Sequence, residues 1–222
     1  NRRYQVAVGG SGTGGREGAL VAARNGLRVS LIEKNTLGGT CLHSGCYSVR
    51  ALRACAEFAK ATSKSNRFGL EVTGSEAELP AWITAQRRVS ARLTQELEKQ
   101  MERAGVEILF GQASLIGPHQ MRVINARGEE DLIRADWVIL ASGSRPAFRY
   151  QTGNPKLINS DQLLKQSALP PDLLIVGGGY IGCEFASLFR ALGSTVTLVE
   201  KSERLLPDWD ESVGDFIGTT LR

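Results

Sequence analysis

The sequence predicts an α/β protein with two glycine-turned βαβ units and a small antiparallel β-meander, the second unit incomplete. Three observations carry this. An apolar run, Tyr4–Gly9, enters the glycine-rich turn Gly10-Ser11-Gly12-Thr13-Gly14-Gly15. A second such turn, Gly177-Gly178-Gly179-Tyr180-Ile181-Gly182, recurs 167 residues later. Between them, short apolar-polar pieces are broken by Gly117-Pro118 and Arg127-Gly128, as in a meander.

Each element follows from its residues. Tyr4–Gly9 reads as a buried strand, Gly18–Asn25 has helical composition, and Arg28–Ile32 is a second strand ending at Glu33. Gly10 serves the tight turn, Gly12 lets backbone approach a pyrophosphate, and Gly15 permits close helix-on-strand packing. Glu33 follows Gly10 by 23 residues, where a carboxylate accepts hydrogen bonds from ribose hydroxyls. Arg50–Thr62 and Ala81–Arg103 read as long amphipathic helices joined by a polar connection, and Val106–Phe110 as a strand. Ala113–Ile116, Met121–Asn125 and Asp131–Arg134 form the meander, and Trp137–Ala141 is a separate buried strand running into Ser142-Gly143. In the second unit Leu173–Val176 is the strand, Cys183–Leu192 the helix, and Thr195–Val199 the strand ending at Glu200, again 23 residues beyond the first glycine. Gly177, Gly179 and Gly182 repeat the roles of the first three glycines. Both units are thus Rossmann-like, and two fingerprints imply two dinucleotides. Glu200 would bond a free 2′-hydroxyl and repel a 2′-phosphate, favouring NAD over NADP, while Lys201 and Arg204 nearby temper that preference.

Cys41 and Cys46 lie in Gly38-Gly39-Thr40-Cys41-Leu42-His43-Ser44-Gly45-Cys46, just after the first unit. Positions i and i+5 point apart on a regular helix, so a bridge between them needs a turn or a distorted helix start, which Gly45 can supply. Cys46 near the opening of the following helix would sit at its positive end, which lowers a thiol pKa. Two cysteines can also be small buried hydrophobes, and that is the expectation for Cys55 and Cys183. A metal site is not expected: His43 and His119 are the chain's two histidines, too few soft ligands at the usual short spacings.

With 222 residues, 42% of them hydrophobic and 23% charged, the chain can bury a core. A net charge of +4 with interspersed signs gives no nucleic-acid face. No apolar run approaches a membrane span and no signal segment opens the chain, so a cytoplasmic protein is expected. The chain does not open with Met, so a leading segment could have been trimmed.

Gly10-x-Gly12-x-x-Gly15, Glu33, Gly39-Thr40-Cys41-x4-Cys46, Ala141-Ser142-Gly143 and Gly177-x-Gly179-x-x-Gly182, in this order, closely resemble the pyridine nucleotide-disulfide oxidoreductases. That family includes dihydrolipoamide dehydrogenase, glutathione reductase, mercuric reductase and soluble transhydrogenase, and the chain is most similar to the first. The resemblance implies an FAD-binding part over residues 1–146, a partial NAD-binding part over 147–222, and electron transfer between a dithiol substrate, Cys41 and Cys46, FAD and NAD. It further implies that Cys41 is the interchange thiol, that Cys46 lies over the flavin, and that Glu184 pairs with a family lysine, a position occupied here by Arg50. The family's Cys-x-Pro-Ser-Lys is Cys46-Tyr47-Ser48-Val49-Arg50 in this sequence. Family members continue into a homodimer-forming region that supplies a His-Glu pair, which these residues do not include. Alternatives are a transhydrogenase-like or other disulfide reductase, or a flavin-binding redox module without disulfide turnover, as the altered Ser48-Val49-Arg50 would allow.

Overall fold

The computed structural model describes residues 2–62, 64–72, 79–147 and 153–221. In chain order the elements are β1 (Arg2–Gly9), α1 (Thr13–Arg24), β2 (Val29–Glu33), α2 (Gly39–His43), α3 (Cys46–Thr62), α4 (Leu79–Arg103), β3 (Glu107–Phe110), β4 (Gln112–Gly117), β5 (Gln120–Ile124) and β6 (Glu130–Leu140). There follow α5 (Ser160–Leu163), β7 (Asp172–Val176), α6 (Tyr180–Leu192), β8 (Thr195–Val199) and α7 (Glu211–Thr220). Packing groups residues 1–48 with 87–150, and 49–86 with 151–222. This division differs in kind from a single cut in sequence at 146/147, because Leu52, Ala56, Leu79 and Ile83 share a core with Phe185, Leu188, Phe189 and Leu192.

The first unit holds one mixed sheet of order β3-β2-β1-β6-β5-β4. β3, β2, β1 and β6 run parallel, and β6, β5 and β4 form the antiparallel meander. Every residue of β2 is buried, as expected of a central parallel strand covered on both faces. Val8, Leu20, Leu31, Leu97 and Met101 lie in the core that packs α1 and α4 with the sheet. Tyr4, Ile32, Met121, Val123 and Ile133 make a separate cluster containing meander residues.

One expectation is corrected here. Residues 131–134 and 137–141 were expected as two strands, the second buried. They are one strand, β6, with Trp137 73% exposed and Leu140 67% exposed. Ala135-Asp136 holds neither glycine nor proline to break the strand, and β1 pairs in a single register from Ile133 to Leu140, so the ladder runs through. The β5 pairing ends at Arg134, so the later half of β6 is hydrogen-bonded along one side among the described residues.

The second unit holds the parallel pair β7–β8, in register from Asp172↔Thr195 to Val176↔Val199, with α6 as the crossover. Phe185 and Phe189, one turn apart on α6, stack with ring centroids 6.0 Å apart. Among the described residues no helix is long and apolar enough to cross a membrane. Because Phe189 is 1% exposed, Phe189→Ala is expected to cost about 3–5 kcal/mol through lost burial and the cavity left behind, read as a lowered urea midpoint of the second unit.

Candidate functional site

In the first unit the fingerprint folds by backbone contact. A Cβ on Gly15 would stand 1.8 Å from the Gly10 carbonyl oxygen, so α1 packs on the turn at a distance no side chain permits. Gly10 has φ +107°, and a Cβ there would meet the Ala141 oxygen at 2.2 Å. Ala141-Ser142 therefore lies against the turn, while Gly143 is exposed beyond it with φ +73°. Gly12 is the residue preceding α1; no side chain caps that helix end, and a Cβ on Gly12 would meet nothing within 4 Å. A Cβ on Gly39, in contrast, would approach the Gly12 Cα at 2.8 Å. Gly39 and the exposed Thr40 thus begin α2 directly against the fingerprint.

Glu33 is folded back onto this turn. Its Oε2 accepts from the Ser11 N–H at 3.1 Å and the Ser11 hydroxyl at 2.6 Å, and its Oε1 accepts from the Asn35 N–H at 2.9 Å. Burial pushes the carboxyl up, but the Ser11 hydroxyl and the backbone N–H groups outweigh it and hold the carboxyl below 4.5. Ser11 Oγ also accepts from the Gly38 N–H at 3.0 Å, joining the acid to the start of the cysteine segment. Sequence reasoning assigned Ser11 no role; its place between two fingerprint glycines was the available sign.

Cys41 lies in the short helix α2, which was not foreseen, and Cys46 is the first residue of α3, as the helix-opening expectation required. Cys41 is half-buried and Cys46 exposed. Gly45 does supply the turn, but by space and not by a left-handed φ: it is absent from the positive-φ glycines, and a Cβ there would meet the Thr40 oxygen at 3.0 Å and the Cys41 Cα at 3.4 Å. Cys183 is buried, donating its thiol to the Gly178 carbonyl at 3.5 Å, and Cys55 is half-buried; burial pushes both thiols up.

The second unit repeats the cradle. Gly177 has φ +114°, Gly179 precedes α6 without a side-chain cap, and a Cβ on Gly182 would stand 1.9 Å from the Gly177 oxygen. Glu200 accepts from the Gly178 N–H at 2.6 Å and the Ser202 N–H at 2.9 Å, and these donors hold it below the usual carboxylate range. Arg204 donates to the carbonyls of Pro207 at 3.5 Å and Trp209 at 3.3 Å, so this cation is engaged with its own loop. Glu184 pairs with Arg53 at 3.3 Å, which also pairs with Glu57 at 3.2 Å. Among the described residues Arg50, the expected partner of Glu184, is exposed and makes no ion pair; Arg53 lies three residues further along α3 and takes that place.

A family model, pyridine nucleotide-disulphide oxidoreductase, matches residues 4–222. The chain belongs to this family. It is 34% identical over 97% of its length to a dihydrolipoyl dehydrogenase of Chlamydia muridarum (strain MoPn / Nigg), covering 48% of that protein. To a dihydrolipoyl dehydrogenase of Bacillus subtilis (strain 168) it is 32% identical, over 99% of this chain and 48% of the other. A glutathione reductase of Burkholderia cepacia is 30% identical, with 99% and 48% covered. Among solved structures, the Cu(II) complex of an HOCl-induced flavoprotein disulfide reductase from Escherichia coli matches all of this chain and 48% of its own with a TM-score of 0.82 at 29% identity. The chain spans about half the length of the curated relatives it matches. Family members use FAD and NAD(P).

The residues present fit a dinucleotide at the first cradle: an uncapped helix end, open space above Gly12 and a fixed acid at Glu33 are the features a pyrophosphate and a ribose require. Among the described residues no group of three or more His, Cys, Asp or Glu side chains is placed to hold a metal.

Gly12 has φ −62° and ψ −178°, which any residue adopts. Gly12→Ala is expected to change stability by no more than about 1 kcal/mol yet lower FAD retention at least tenfold, read by flavin absorbance after gel filtration. For Glu33 the sign follows from its depressed pKa: its contribution to stability is complete above 4.5 and lost as pH falls through the folded value. Glu33→Gln should therefore flatten the loss of stability below about pH 4.5, measured by urea unfolding at a series of pH values.

Proposed function

We propose that this chain acts in an FAD- and NAD-dependent disulfide oxidoreductase of the dihydrolipoyl dehydrogenase type, with Cys41 and Cys46 as its redox pair. The observation that carries the reading is the seating of the cysteine segment on the nucleotide cradle. Gly39 closes on Gly12, Ser11 bridges Glu33 to Gly38, and Gly45 folds the chain back onto Cys41. A dithiol and a dinucleotide site are thereby built from one continuous stretch of backbone.

The chemistry is thiol–disulfide exchange. With the pair oxidised, a substrate thiolate attacks the Cys41 sulfur, the Cys41–Cys46 bond breaks, and Cys46 leaves as thiolate. The second substrate thiolate then attacks the substrate sulfur of the mixed disulfide and expels Cys41. The substrate leaves as a disulfide, and both cysteines are reduced. Bound FAD would supply a two-electron carrier between this dithiol and NAD. Gly10, Gly12, Gly15, Glu33, Gly39, Thr40 and Ala141-Ser142-Gly143 would hold FAD; Gly177, Gly179, Gly182 and Glu200 would hold NAD. Glu200 supports NAD over NADP by charge, and the engagement of Arg204 with its own loop removes one of the two nearby cations from the opposing side. On the same reading the substrate is a dihydrolipoyl-like dithiol and the working assembly a cytoplasmic homodimer.

One observation favours a second reading, a flavin-binding redox module without dithiol turnover. Glu184 is committed to Arg53, and the lysine position of the family holds Arg50, which makes no ion pair among the described residues and is planar and harder to deprotonate.

In the full-length protein carrying this chain, Cys41→Ser and Cys46→Ser should each lower dihydrolipoamide-dependent NADH formation by at least about 10³-fold while flavin stays bound. Turnover that survives either substitution would remove that cysteine from the redox pair, and a wild type that NADH reduces but dihydrolipoamide does not would favour the module.

A further inference from the structure

We propose that Ser48 and Ser90 are positioning residues for the Cys41–Cys46 pair, acting through the carbonyl of Leu42. The proposal rests on the reading of these cysteines as a redox pair. α2 has five residues, so its last carbonyls lie beyond the reach of its own N–H groups. Leu42, which directly follows Cys41, is 2% exposed. Its carbonyl accepts from the Ser90 hydroxyl at 2.7 Å and from the Ser48 hydroxyl at 3.1 Å, and both serines are buried. Ser48 lies two residues beyond Cys46 on α3, and Ser90 on α4. One buried oxygen thus ties the segment between the cysteines to the residues just after them and to a long helix.

A second attachment lies one helical turn along. Thr94, four residues after Ser90 on the same face of α4, donates to the Leu37 carbonyl at 3.5 Å. That oxygen also meets His43 Nε2 at 2.9 Å, with the ring nitrogen donating. The segment is therefore fastened to α4 at Leu37, ahead of it, and at Leu42, inside it.

The consequence concerns ring closure. A disulfide forms only when the two Cα atoms lie roughly 4.4–6.8 Å apart with suitable orientation, and a loose six-residue segment samples many arrangements that do not satisfy this. Holding Leu42 confines the segment before the bond forms, so less conformational freedom is lost on closure and the disulfide is favoured over the dithiol. Without the two hydroxyls the loop relaxes and the equilibrium moves toward the dithiol.

The test equilibrates the full-length protein carrying this chain in buffers of oxidised and reduced dithiothreitol, quenches with acid, alkylates free thiols and weighs the peptide carrying Cys41 and Cys46. In this exchange the ring S–S bond of oxidised dithiothreitol breaks as the Cys41–Cys46 bond forms, and the two cysteine protons pass to the departing dithiol. Ser48→Ala/Ser90→Ala should shift the ratio toward the protein dithiol about tenfold, a rise in potential of about 30 mV. Ser90→Ala alone, the milder change, should shift it about threefold, and Ser90→Thr, which keeps a hydroxyl, should restore the wild-type ratio. The single variant decides the matter if the double variant does not fold, as circular dichroism would report. If wild type never forms the Cys41–Cys46 bond, the redox-pair reading falls. If wild type forms it and Ser90→Ala keeps the same ratio within measurement error, or shifts it toward the disulfide, the positioning role falls and the redox pair stands.

Discussion

Backbone packed directly on backbone is the constraint from which the rest of this structure follows. In each unit the third fingerprint glycine presses on the carbonyl of the first so closely that a methyl group would overlap it. That contact brings the opening turn of α1 or α6 onto the end of its strand and leaves the helix end without a side-chain cap. The acid at the end of the next strand then closes the turn by accepting an N–H from its second residue, at 3.1 Å in one unit and 2.6 Å in the other. The glycine contacts at the base of each cradle involve no side-chain rotamer, so that part of its shape is settled before any ligand arrives.

The cysteine segment inherits that rigidity in the first unit. It departs from β2 through Lys34–Leu37, returns to the fingerprint at Gly39, and is fastened by hydroxyls from α3 and α4. Polar side chains inside an otherwise apolar region are costly unless satisfied. Here each of these hydroxyls meets a backbone carbonyl, a use of buried polarity that fixes geometry without charge.

The features legible in the sequence were those with short-range signatures. The fingerprints, their acids and the meander turns announce themselves through glycine placement and apolar periodicity, and Cys46 at a helix start followed from the helical pattern after it. What could not be read depended on partners distant in sequence. β6 runs unbroken because β1 pairs along it, although its middle residues, Ala135-Asp136, are weak strand formers. Arg53 in place of Arg50 beside Glu184 depends on which turn of α3 meets α6. The service of Ser90 to Leu42 spans 48 residues and left no trace in either local pattern. The grouping of residues 49–86 with the second unit likewise arises from packing between helices far apart in the chain.

The two glycine turns differ at three positions, and at one of them, Ser11 against Gly178, the difference is not reversible. At Gly178 a Cβ would stand 2.5 Å from Leu205 Cδ2 and 2.9 Å from Glu200 Cβ, because the loop after β8 folds over the turn and donates the Leu206 N–H to its carbonyl. In the first unit the segment after β2 accommodates the buried Ser11 side chain, whose hydroxyl meets Glu33 and Gly38. A chimera that copied the first cradle's sequence into the second would therefore have to displace the side chains of Leu205 and Glu200 to accommodate the serine at that position. The reverse graft would keep its backbone and forfeit one tether. Sequence exchange between the halves of this chain is in that sense a one-way street, set by what lies over the glycine turn.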